Sequence, residues 1–137
     1  MYGKTTISIL LVSGMEPRSS IGTTFKGKNL DRLDLRIFPN LVRLENYALQ
    51  GTTATPIIIP SWLTTWGYYS LQGSKTVVCL VETPPGGSHG ITSTSYNSRK
   101  ELYIPDDSVD AYKAAYNNAT SYAYTFIHPI SECPYDL

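Results

Sequence analysis

The chain has 137 residues, with eleven basic side chains balanced by eleven acidic ones and only two cysteines. That length is one domain's worth and can bury a core without covalent staples. With no basic cluster larger than Arg99-Lys100, the balance excludes binding to nucleic acid or to an anionic membrane surface driven by bulk charge.

Thr, Ser, Tyr, Pro and Gly are plentiful, a composition of strands and turns rather than of a helical bundle. Thr5 to Val12 is β-branched and apolar and stops at Ser13-Gly14, which predicts a first strand. Its apolar run is too short for a secretory signal and no small-x-small cleavage site follows it. No stretch reaches the length needed to cross a bilayer, so no membrane insertion is expected. Met15 to Ser20 contains Pro17 and predicts a turn. Leu30, Leu33, Leu35 and Ile37 then alternate with Asp34 and Arg36, the period of a half-buried strand, and Phe38-Pro39-Asn40 stops it.

From Leu41 the sequence says nearly the same thing twice. Leu41/Leu63, Tyr47/Tyr69, Leu49/Leu71, Gln50/Gln72 and Gly51/Gly73 recur at an offset of 22 residues, and Ile21 to Gly27 is a worn earlier copy. A period in the 20–29 residue range marks leucine-rich repeats, in which each repeat is one supersecondary unit. Ile57-Ile58-Ile59 between Pro56 and Pro60 predicts a short strand, and Thr76 to Val81 its counterpart in the next copy. Leu44/Trp66 and Leu49/Leu71 are expected to point inward, and Asn46/Tyr68 outward.

Pro84-Pro85-Gly86-Gly87 breaks the pattern, and residues 86–100 predict a long loop tacked to the core by Ile91. Glu101 to Pro105 predicts the last strand. Val109, Tyr112 and Tyr116 then share one helical face, with Asp107 as the expected N-cap and Asn117-Asn118 as the stop. The expected division is an N-terminal strand and turn over 1–18, a repeat region over 19–105, and a helical cap and tail over 106–137.

These residues resemble the BspA-type leucine-rich repeats of bacterial surface proteins, whose unit reads Ile-x-Ile-Pro, a gap, then Ile-Gly-x-x-Ala-Phe-x-Gly. Ile57 to Pro60, Leu44 to Leu49 and Trp66 to Leu71 stand in those places, with Glu45 where the family has glycine and Leu49 and Leu71 where it has phenylalanine. The run Val78 to Pro85, a loop, and Leu102 to Ala115 with a Tyr-rich tail looks like the terminal module of such proteins in gut anaerobes and of tail and fibre proteins of their phages. The fold class expected is mainly β: a short leucine-rich-repeat β-solenoid with a C-terminal capping helix.

A search for chemistry yields no catalytic constellation. His89 lies in a glycine-rich loop and His128 beside Pro129, and each reads as solvated or as a structural hydrogen-bonder rather than a catalytic base. Asp106, Asp107 and Asp110 lack the alternating ligands of a calcium loop. Cys79 and Cys133 cannot assemble a zinc site; Cys79 reads as a buried small hydrophobe and Cys133 as a free thiol. No metal, cofactor or enzymatic activity is expected.

Eleven tyrosines and two tryptophans remain, more than so small a core needs. Most read as packing; Trp62, Tyr68 and Tyr96 are the candidate binding residues, since rigid aromatic faces suit carbohydrate stacking and protein hot spots. The expected role is a non-enzymatic binding or structural module. The setting expected first is a phage virion component of tail or fibre type, engaging protein partners in a larger assembly, further copies of itself, or a host-surface glycan or protein. A bacterial cell-surface adhesin is the alternative.

Overall fold

The computed structural model describes residues 19–86, 90–91, 99–117 and 125–137. The strand predicted at Thr5–Val12, the whole of segment 1–18 and most of the loop predicted over 86–100 lie outside them. Eight strands are described: β1 Ser20–Ile21, β2 Leu33–Asp34, β3 Arg43–Leu44, β4 Ile57–Ile59, β5 Thr65–Trp66, β6 Thr76–Cys79, β7 Lys100–Ile104 and β8 Thr125–Pro129. They form two sheets, one of three strands in the order β1-β3-β5 and one of five in the order β2-β4-β6-β7-β8. Every pairing is parallel. One short α-helix, α1 (Val109–Tyr112), continues into a π-helical stretch, Lys113–Asn117.

This corrects the expected mainly-β leucine-rich-repeat solenoid: the described residues form an α/β arrangement of two parallel sheets and a short helix. Parallel neighbours cannot be joined by a tight hairpin and need crossover segments, commonly helical ones. The expected capping helix is such a crossover. It lies between β7 and β8, and β8 extends the sheet beyond it as the true edge, so Glu101–Pro105 is not the last strand.

β2 is shorter than the apolar pattern suggested, because a side chain bonds to the backbone and ends it early. The alternation from Leu30 to Ile37 yields only β2. There the Asp34 carboxylate accepts from the Arg36 backbone N–H at 3.0 Å and turns the chain into a 3-10 segment, Leu35–Ile37. Ile37 is left exposed while Leu30, Leu33 and Leu35 are buried. Asp107 does not cap the helix. The chain enters through a 3-10 turn, Asp106–Ser108, in which Ser108 N–H already bonds the Pro105 carbonyl at 2.8 Å. The Asp106 carboxylate instead accepts from the Ser131 N–H at 3.0 Å.

The core lies between the sheets. Leu44, Leu49, Trp66, Leu71, Ile57, Ile59, Val77, Cys79, Leu102 and Ile104 are all buried, as is Ile91, which tacks the described part of its loop to them. Each such aliphatic side chain contributes about 1.5–3 kcal/mol by leaving water. Tyr112 and Tyr116 complete the core from the helix, their hydroxyls donating to the Val81 and Pro85 carbonyls at 2.5 and 2.8 Å. Burial pushes the Cys79 thiol up to about 11. Both cysteines are free.

Lys100 opens β7 with its side chain turned inward and wholly buried. Its Nζ donates to the Leu71 carbonyl at 2.7 Å and to the Ser74 carbonyl at 2.5 Å, tying the end of the second copy to β7. Burial pushes the amine down to about 7. No helix among the described residues is long and apolar enough to cross a membrane.

Candidate functional site

The two sequence copies are stacked one on the other. β3 and β5 pair with Arg43 opposite Thr65 and Leu44 opposite Trp66, which is the sequence offset of 22 residues. Beyond the strands, the Tyr47, Leu49 and Gly51 N–H groups donate to the Tyr68, Ser70 and Gln72 carbonyls at 2.9, 2.8 and 2.9 Å. Asn46 Oδ1 accepts from the Tyr68 N–H at 2.9 Å, and the Gln50 and Gln72 side-chain amides are hydrogen-bonded to each other. The turns after β3 and β5 are therefore held in register by backbone and side chain alike.

That register gathers three tyrosines on the outer surface. Tyr47 and Tyr68 are 36% and 40% exposed, so each buries a body and offers an edge to solvent. Their ring centroids lie 6.0 Å apart in an edge-to-face pair, with Tyr47–Tyr69 also at 6.0 Å and Tyr68–Tyr69 at 4.1 Å. Lys26 Nζ sits 5.5 Å from the centre of the Tyr47 ring, within reach of a cation–π contact. Hydrogen bonding to Tyr69, and then burial, raise the Tyr68 phenol above its ordinary value.

The backbone beneath this patch is strained. Tyr47 and Tyr69 occupy equivalent places and both are left-handed, at φ 61° and 54°. Bulky residues there cost on the order of 1–3 kcal/mol, and such outliers cluster where a surface has a task beyond stability. Glycine takes the same hand without cost at Gly51 and Gly73, φ 75° and 87°, four residues after each tyrosine.

Of the three candidates read from the sequence, Tyr68 is at the centre of this patch. Trp62 is 39% exposed but stands apart, its indole N–H donating to the Phe38 carbonyl at 3.2 Å. Tyr96 lies outside the described residues, as does His89. Sequence reasoning missed Tyr47 and Tyr69 as site members although their recurrence at the common offset was visible. It also missed Lys26, which carries no local signal.

His128 Nε2 is 2.7 Å from Glu101 Oε1, with its ring 5.0 Å from that of Tyr103. This arrangement is that of a structural hydrogen-bonder on the outer side of the five-stranded sheet. Among the described residues no group of three or more His, Cys, Asp or Glu side chains could hold a metal ion. What the site offers chemically is aromatic area, phenolic hydroxyls and one cation, a set that can stack, hydrogen-bond and exclude water. No family model, curated protein or solved structure matches this chain.

Proposed function

We propose that this chain is a non-enzymatic binding module whose contact surface is the Tyr47–Tyr68–Tyr69 patch. The observation that supports it most strongly is the pair of left-handed tyrosines at equivalent positions, where glycine would relieve the strain and lose the rings. A chain with no net charge cannot draw affinity from bulk electrostatics, so desolvated aromatic area is the natural source. The partner chemistry that fits is a sugar face or a protein surface offering hydrogen-bond acceptors to the phenols.

The setting rests on the motif resemblance: a phage virion component of tail or fibre type, acting in host-surface attachment or assembly with protein partners. A bacterial cell-surface adhesin of the BspA type is the second reading, which the same motifs favour. Fractionation separates them. Mass spectrometry of purified phage particles containing the chain supports the virion reading. Recovery only in washed bacterial envelopes overturns it in favour of the adhesin.

A further inference from the structure

The five-stranded sheet is buried on both faces at its central strands, β4 and β6. Ile57 and Ile59, Val77 and Cys79, and Leu102 and Ile104 point into the core, so by strand alternation Asp34, Ile58, Val78, Tyr103 and His128 form one row on the opposite face. The pairing register confirms the row, with Asp34 opposite Ile58, Ile58 opposite Val78, Val78 opposite Tyr103, and Tyr103 opposite His128. Ile58 and Val78 have no exposed surface although they face away from the core. Something covers them.

Among the described residues, the C-terminal segment is attached on both sides of this row. After β8, the 3-10 turn Ile130–Glu132 packs beside β7, and Ser131 N–H bonds the Asp106 carboxylate at 3.0 Å. At the far edge of the sheet, Arg32 Nη1 donates to the Asp136 carbonyl at 2.7 Å and Arg36 Nη2 to the Leu137 carbonyl at 3.4 Å. Arg36 is itself braced by the Asp34 carboxylate, Nη2 to Oδ2 at 2.6 Å. From β7 to β2 is three interstrand spacings, about 14 Å. The five residue steps from Ser131 to Asp136 span at most about 17 Å when extended. The segment therefore has the length to pass from β7 to the β2 edge across β6 and β4, the strands that carry Val78 and Ile58. Burial raises the Tyr103 phenol, with Cys133, Glu101, Tyr135 and Glu132 adding to the shift, which places the segment's residues beside that ring.

We propose that residues 130–137 form a detachable strap, clamped at Asp106 and at Arg32/Arg36, that opens without unfolding the two sheets and uncovers the Ile58–Val78–Tyr103 row. All three clamping bonds are solvent-exposed, where water competes for both partners, whereas the strands beneath are joined by buried ladders. Opening confined to one such segment is the ordinary form of sub-global fluctuation.

The two cysteines make the test. Cys133 lies on the strap and is partly exposed, whereas Cys79 is sealed in the core. In the full chain, reaction with an aromatic disulfide reagent is followed at each thiol, in the native sequence and in Arg32→Ala/Arg36→Ala. The expected result is a Cys133 protected relative to the urea-unfolded chain and speeded by about tenfold or more in the double variant, with Cys79 silent in both. Fluorescence of an apolar dye should rise alongside as the row is bared. Equal rates in the two proteins, or a native Cys133 as reactive as in the unfolded chain, would overturn the strap. If the double variant exposes Cys79 as well, Asp106→Ala decides at the other clamp, and joint labelling there would mean that the strap opens only with the whole fold.

Discussion

Lys100 Nζ and the Leu71 carbonyl oxygen are 2.7 Å apart in a site closed to water, joining the first residue of β7 to the turn that ends the second sequence copy. The Ser74 carbonyl is the second acceptor, at 2.5 Å. An amine buried on carbonyls alone carries a desolvation cost when charged, and this sets a pH dependence.

Burial pushes the Lys100 amine down to about 7, so above that pH the native state holds fewer protons than the unfolded chain. Stability must then rise as pH rises from about 7, because the slope follows the excess of protons bound by the unfolded state. The Cys79 thiol, pushed up to about 11, works in the opposite sense, but only once an unfolded thiol begins to ionise near about 8.5. Urea unfolding between pH 7 and 8.5 should show a gain of about 1–2 kcal/mol, abolished in Lys100→Met. A pH-independent native stability across that interval would mean that Lys100 stays charged on its carbonyls.

Leu49 and Leu71 are wholly buried at equivalent points of the two copies, and Tyr68 is among the most exposed aromatics. Leu49→Ala and Leu71→Ala should each destabilise by about 2–5 kcal/mol, the usual range for emptying a buried leucine site. Tyr68→Ala should lie within about 1 kcal/mol of the native protein. Thermal melts showing similar losses at all three positions would contradict the inward and outward assignment.

Gly67 meets the preceding copy's backbone. A Cβ there would lie 2.6 Å from Asn46 N and 2.6 Å from Glu45 C, whereas one on Gly22 would meet nothing within 4 Å. Gly67→Ala should therefore cost about 1–3 kcal/mol by forcing the turns apart, and Gly22→Ala almost nothing. Glu45 holds the place equivalent to Gly67 in the first copy. Its N–H bonds the Ile21 carbonyl at 2.9 Å and its carboxylate accepts from Ser20 Oγ at 2.6 Å. Equal stabilities of the two alanine variants in chemical unfolding would show that the copies are not in close backbone contact.

The stacking of the copies was legible because it follows the sequence repeat: Arg43 opposite Thr65 is the same offset that joins Tyr47 to Tyr69. The two-residue strands β1, β3 and β5 were themselves too short to be read as strands. Four strands of the five-stranded sheet were legible, with β4 and β6 as counterparts in successive copies. Its full order was not, since Ile57 pairs with Val77, Leu33 with Ile57 and Lys100 with Thr125, three different separations that leave no single period to find. β8 was hidden in a run read as a tail, and with it the role of the helix as a crossover. The tyrosine patch was half legible. Tyr68 followed from its outward register, but the left-handed backbone at Tyr47 and Tyr69 contradicts local preference, and propensity gives no warning of a residue held against it. Lys100 looked like half of a surface basic pair, because one residue of strand register decides whether a side chain faces water or core.

The tyrosine patch is tested most directly by binding of the purified, labelled protein to intact host cells, comparing the native sequence with Tyr47→Asn/Tyr68→Ala. Asparagine suits the left-handed backbone at position 47, so the double variant should keep its fold by circular dichroism while losing two rings. The patch as contact surface predicts a loss of about 1–3 kcal/mol, read as a roughly 5- to 150-fold weaker apparent Kd, with Trp62→Ala close to native. Unchanged binding in a folded double variant would contradict it and leave these tyrosines as surface packing.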